Sequence, residues 1–368
     1  MNLFTDPYLA QHWVVFSSLL GIIGGFYMMA QTNSVLLSRR NNVSVFGWVL
    51  VFFITVWLGS RPLWAYVDTG GYTLIFNMVQ RGELPAIPSE DSSEWLFTAI
   101  EYLCIDIADA STWLLVIASF YVGCMALAIK GWFPNNFSVA IIFAVTSFSF
   151  FAYGANGIRN GMATSIALLG LLYLSKHADR IKFMQIAVGL VILYLSTAIH
   201  QSCLLIIASA VCALYYKNTK TYVIIWVICI CLSLIAGETV KSLVASFISD
   251  DRVSYIISTP DERYFSRTGF RWDFILYSSV PILLGLYTLK KNISREATYC
   301  FLLNTYIIAN SFWCLINSTA NSNRFAYLSW FLMPVVVAYP LLKIPVFKNQ
   351  GMVCGLFLLG GVIFNLIF

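Results

Sequence analysis

The chain has 368 residues, of which 59% are apolar and 11% charged, where a soluble globular protein carries roughly 25% charged residues. That composition excludes a soluble protein. At about 20 apolar residues per bilayer-spanning helix, it leaves room for roughly a dozen spans and little else. The net charge is +5, and the distribution of the bases says more than their sum.

The opening MNLFTDPYLAQH has no Lys or Arg ahead of its apolar run, and no small-residue cleavage site follows, so the run reads as an uncleaved first span rather than a signal peptide. Apolar runs then place helices at 13–30, 43–59, 111–130, 136–153, 158–175, 183–199, 201–216, 221–237, 272–289, 297–316, 325–342 and 351–367. The expected fold is an all-α polytopic integral membrane protein of about 12 transmembrane helices, forming a single transmembrane domain over 1–368. Two connections are long, 60–110 and 238–271. Each carries helical spacing of its own: Tyr72, Ile75, Phe76 and Val79; Leu96, Ala99, Ile100 and Leu103; Val240, Leu243, Val244 and Phe247. Short amphipathic helices lying on the interface, apolar face down, are expected there. The nine cysteines are scattered singly, with no CxxC pair and no disulfide framework.

Alternate loops fall on opposite faces. One face collects 13 bases, among them Lys176, Lys217, Lys290 and Lys348, against Asp179 and Glu296; the other has 9 bases and 15 acids. The positive-inside rule makes the first face cytoplasmic, so both termini and both long loops are expected outside. Eight of the nine outer bases are arginines: Arg61, Arg81, Arg159, Arg252, Arg263, Arg267, Arg271 and Arg324. Topology does not ask for them, and a planar guanidinium fork suits phosphate or carboxylate. The alternative is that they pair with the outer acids, Asp68 and Asp273 among them.

Five places in the sequence carry candidate chemistry. Arg159 stands just inside the fifth span in ANGIRNGMATS, among residues small enough for close helix approach. An intramembrane arginine is a functional hypothesis by default, although at the membrane edge it could equally snorkel to water. His200, in STAIHQSCLL between two apolar spans, can exchange protons near neutral pH, or can be a packed histidine bonded to a carbonyl. Arg324 opens the eleventh span after the amides and hydroxyls of Asn317, Ser318, Thr319, Asn321 and Ser322, a set that suits a sugar or a phosphate. Arg61, Asp68 and Tyr72 in SRPLWAYVDTGGY, with Arg271 and Asp273 in GFRWDF, are further outer-rim candidates, or local ion pairs. With no GxxxxGK[ST], no HExxH and no His, Cys and acid cluster at ligand spacing, neither a nucleotide, a metal nor any other cofactor is expected, and nothing points to nucleic acid. Outer-facing chemistry without a nucleotide suggests a substrate already activated, on a lipid carrier.

Taken together, R-x6-DT-x2-Y at Arg61 to Tyr72, NGIRNG at Arg159, IHQS at His200, GFRWDF at Arg271 and NRFAYLSW-x3-P at Arg324 give the chain its likeness to a known family. From about Arg61 to Pro340 it resembles the EpsG/Wzy-type exopolysaccharide and O-antigen polymerases. The resemblance implies a multi-pass glycosyltransferase of the bacterial inner membrane that joins polyprenyl-diphosphate-linked oligosaccharide repeat units at the outer face. It implies that Arg159, His200 and Arg324 belong to the catalytic site and does not fix which residue is the base, His200 or a carboxylate such as Asp68; Arg61, Asp68, Tyr72, Arg271, Asp273 and Asn321 on the outer rim are expected to bind substrate. Membrane lipid is the other expected partner, and the resemblance leaves open a chain-length regulator and a flippase. Competing classes are a flippase or exporter of the same lipid-linked sugars, and a membrane acyltransferase that modifies surface sugars.

Overall fold

The computed structural model describes residues 7–33, 44–84, 94–180, 182–246, 269–291, 296–319 and 322–367. Asn321, Phe247, Arg252, Arg263 and Arg267 lie outside them. Among the described residues there is no strand. The helices are α1 (Pro7–Met29), α2 (Ser44–Gly59), α3 (Val67–Gln80), α4 (Trp95–Ile105), α5 (Ala110–Trp132), α6 (Phe137–Val145), α7 (Phe148–Ala155), α8 (Ile158–His177) and α9 (Phe183–Ile199). After a short 3-10 turn at Gln201–Cys203 come α10 (Leu204–Tyr215), α11 (Thr219–Ser246), α12 (Trp272–Lys290), α13 (Ala297–Leu315), α14 (Ser322–Trp330), α15 (Met333–Lys343) and α16 (Gln350–Ile367).

Six of these stretches are long and apolar enough to cross a membrane, or seven if the bent pair α6 and α7 is one span. Twelve spans are therefore not established by length and composition. The shortfall has a physical cause. α2 and α9 are only 16 and 17 residues long, at or below the shortest usual span. α8 and α13 have internal polar residues, Asn160, Thr164 and Ser165 in one and Asn304, Asn310 and Ser311 in the other. The membrane solvent shows on the outside: the most apolar stretch of α11 is only 17% buried, and Phe52 and Leu276 are each 71% exposed.

Three expected elements differ in detail, the run 325–342 being divided into α14 and α15 by a turn at Phe331 and Leu332. The run 136–153 is not one helix, since α6 and α7 meet at a 73° bend. At the break, the Thr146 hydroxyl donates to the Ile142 carbonyl and the Ser147 hydroxyl to the Ala144 carbonyl, each at 2.7 Å, a competition with backbone bonding that bends helices. Asn365 from α16 donates to the freed Thr146 carbonyl. The expected short helix beginning at Val240 is instead the continuation of α11 beyond non-helical backbone at Ala236.

The chain divides into two compact units, Met1–Leu204 with Ala338–Phe368, and Leu205–Val337. In the first, α1 packs along α16 so closely that a Cβ on Gly355 would stand 2.4 Å from the Gly25 carbonyl oxygen, the small-residue approach that membrane helices use. α8 packs between α5 and α9, and α2 lies against α5. In the second unit, α13 is central to a buried polar network. Asn310 accepts from the Trp226 indole and donates to Ser278 and Ser329, and Ser278 also accepts from Trp330. With each polar side chain satisfied, the network ties four helices together without an exposed group.

Candidate active site

In the first unit the motifs around Tyr72, Arg159 and His200 converge, although they are far apart in the chain. α7 ends at Ala155, and α8 restarts at Ile158 after Gly157, so Arg159 is the second residue of α8. A Cβ on Gly161 would meet the Tyr153 carbonyl oxygen at 2.7 Å, so glycine lets α8 fold back tightly against α7. α9 ends at Ile199, and His200 takes extended backbone (φ −152°, ψ 118°) before the 3-10 turn. Its ring is therefore set at the corner of a helical hairpin and is largely buried.

Glu94, at the start of α4, joins the two. Its Oε2 accepts from Arg159 Nη1 at 2.6 Å, and its Oε1 accepts from His200 Nδ1 at 2.5 Å and from the Gln201 backbone N–H at 3.1 Å. Burial by itself pushes this carboxyl up, but the hydrogen bond and charge of His200, the charge of Arg159 and the Gln201 amide together hold it down at about 2. Glu94 is thus an anion throughout the neutral range. Because its pKa is depressed, the stabilisation it contributes is present above the ordinary value of 4.5 and is lost only as pH falls toward about 2. A carboxylate at Nδ1 fixes the neutral imidazole as the Nδ1–H tautomer, which places the basic lone pair on Nε2.

Arg159 is gripped on two more sides. Its Nε donates to the Tyr72 hydroxyl at 2.6 Å, and its guanidinium lies 4.9 Å from the Tyr72 ring centroid and 5.8 Å from that of Phe97. These contacts take two of its five N–H donors, and the side chain is 34% exposed. A cation this firmly oriented, with donors left over at an accessible edge, can take an anion.

The flanking motif residues lock the frame. Asn156 accepts from the Asp68 backbone N–H at 2.9 Å and donates to the Asp68 carboxylate at 3.2 Å. The Ser202 hydroxyl donates to Asn160 at 3.0 Å. Arg61 is buried and reaches not Asp68 but the Leu58 carbonyl and the Thr69 hydroxyl, which itself donates to the Ala155 carbonyl. Desolvation lowers the Arg61 guanidinium only to about 10, so it stays charged at neutral pH.

The second unit holds the other candidates. Arg271 makes a bidentate pair with Asp273 at 2.9 and 2.6 Å, stacks 3.7 Å from the centroid of Phe274, and has its backbone N–H bound by Asn317. The local ion pair foreseen for Arg271 and Asp273 is thus present, and the one foreseen for Arg61 and Asp68 is not. Arg324, near the start of α14, is exposed. Glu94 is the residue that sequence reasoning did not single out: it counted only as one of the outer acids with which the arginines could pair. The available signal was its place just ahead of the amphipathic run Leu96, Ala99, Ile100 and Leu103.

A family model described as the EpsG family matches residues 46–368. The chain belongs to the EpsG family. All five motifs lie within the matched region, so the converged cluster belongs to the EpsG part of the chain. EpsG membership supports a polysaccharide-polymerase role at the level of the family. No curated protein and no solved structure matches the chain.

Proposed function

We propose that the chain is a polysaccharide polymerase that joins polyprenyl-diphosphate-linked oligosaccharide repeat units at the outer face of the bacterial inner membrane. The observation that carries the reading is the Glu94 carboxylate bridging Arg159 and His200, because it places an oriented cation beside an oriented base. In this mechanism His200 Nε2 removes the proton of the acceptor hydroxyl. The acceptor oxygen bonds to the anomeric carbon of the donor as the bond from that carbon to the diphosphate oxygen breaks. The polyprenyl diphosphate leaves with the electron pair, and Arg159 neutralises the charge that grows on it. No nucleotide enters the reaction, because the diphosphate is already on the lipid, and the cation supplies what a metal otherwise would. Asp68 and Tyr72 position the cluster, and Arg324, which the family resemblance assigns to the reaction, is tested on its own by Arg324→Lys. Purified chain given only a lipid-linked repeat unit should lengthen it. A flippase or an acyltransferase leaves the unit at its original length.

The same reading fixes sidedness. In a background without the native cysteines, Glu83→Cys and Asn218→Cys, both at exposed positions, should label from opposite sides of intact cells. Labelling of both from one side would break the placement of the cluster outside.

A further inference from the structure

Glu101 has no part in the mechanism above, yet it is buried on the same face of α4 as Phe97, the ring beside Arg159. It is 9% exposed, and its Oε1 is buried with no hydrogen-bond partner among the described residues. Buried polar atoms in folded proteins are nearly always bonded, and an orphan calls for a reason. α4 packs against α3, α5 and α9. Among the groups they bring, α3 has Asp68 and Tyr72, α5 begins after Asp109 and carries Lys130 in its last turn, and α9 carries no charged side chain and ends at Ile199, next to His200. Tyr102 and Cys104 are on α4 itself, with Glu94 at its start. The cation whose field reaches Glu101 is Arg159, which comes from α8 and lies beside Phe97.

We propose that Glu101 is a positioning residue for Arg159 that sets its affinity for the diphosphate donor: neutral, it leaves the cation to the ligand, and ionised, it competes for it. The inference rests on the donor reading of Arg159. Burial pushes the Glu101 carboxyl up to about 7, with Arg159 pulling it the other way, so both forms are populated near neutral pH. The sign follows directly. A bound dianion beside Glu101 favours the protonated form, so binding takes up a proton, and affinity falls as pH rises through about 7.

The test is binding of a polyprenyl-diphosphate-linked monosaccharide to the purified full chain between about pH 6 and about pH 8.5. Both phosphates of that probe are esterified and neither titrates in the range. Wild type should hold its affinity up to about pH 6.5 and then lose up to roughly tenfold per pH unit. Glu101→Gln should keep the low-pH affinity throughout. Calorimetry of the wild type at about pH 7.5, in buffers of different ionisation enthalpy, should show uptake of up to roughly three-quarters of a proton per ligand, a readout that does not depend on the variant folding. A wild-type slope retained in Glu101→Gln, or wild-type binding without proton uptake, overturns the inference and leaves donor binding standing. An Arg159→Lys chain that binds the probe as tightly as wild type overturns the donor reading, and this inference with it.

Discussion

His200→Ala is expected to leave the chain inserted and folded while removing roughly 2 to 4 powers of ten from the rate of polymerisation, the range a general base contributes. The ring lies at the corner between α9 and the 3-10 turn, where the backbone is held by its own hydrogen bonds, from the His200 N–H to Ser196 and from the Cys203 N–H to His200. The backbone at this corner therefore does not depend on the imidazole. Glu94→Gln should be nearly as damaging, although it keeps the size and shape of the side chain. An amide can offer its N–H to Nδ1, which moves the ring proton to Nε2 and removes the base. Because the two residues act as one device, Glu94→Gln with His200→Ala should be little worse than His200→Ala alone. A packing role predicts a different pattern, in which His200→Gln keeps much of the long-chain product because a glutamine can still bond to Glu94. The measurement is the polymer ladder at matched membrane abundance for the Ala, Gln and double variants. Substantial polymer from His200→Gln removes His200 from the chemistry and leaves Asp68, held by Asn156, as the next candidate for the base.

What could be read from the sequence and what could not divide along the range of the interaction. Apolar run length is a local property set by bilayer thickness, so α9 begins and ends where its run does, and α12 runs one residue beyond. The amphipathic spacing from Tyr72 and from Leu96 is equally local, and α3 and α4 are there. The bend at Thr146 and Ser147 was written in hydroxyls that apolar periodicity ignores, since both residues sit inside a run that is otherwise hydrophobic. In the cluster, Arg159 and His200 stood out because a charge or an imidazole at a membrane edge is costly and needs a reason. Glu94 did not stand out, because a carboxylate in a polar loop needs none. Its importance comes from a pairing across 65 and 106 positions of chain, which neither composition nor spacing encodes. The same holds for Arg61: Asp68 is its nearest acid in the motif, but α3 turns Thr69 toward Arg61 and leaves Asp68 to Asn156.

Arg159→Lys should cost roughly two powers of ten in kcat/KM although the charge is kept, the scale expected when one preorganised donor to a developing anion is removed. Three features of the guanidinium explain why an ammonium does not replace it. Nε reaches Tyr72 while Nη1 reaches Glu94, so the planar fork is braced at two corners and its remaining N–H groups point in a fixed direction. A lysine has a single nitrogen, whose three N–H groups radiate from one rotating point and do not reproduce the separation between Nε and Nη1 that the two supports require. The flat cation also lies against the Tyr72 and Phe97 rings, a contact that an ammonium makes with less area. Tyr72→Phe offers the graded comparison, since it keeps the ring and removes only the hydroxyl that accepts from Nε. It should lose a smaller factor, roughly three- to tenfold, as expected for one hydrogen bond to a charged group. If Arg159→Lys supports polymer of wild-type length at wild-type rate, the cation serves only as a partner for Glu94. A Tyr72→Phe chain more damaged than Arg159→Lys would instead show that the aromatic hydroxyl, not the guanidinium, meets the substrate.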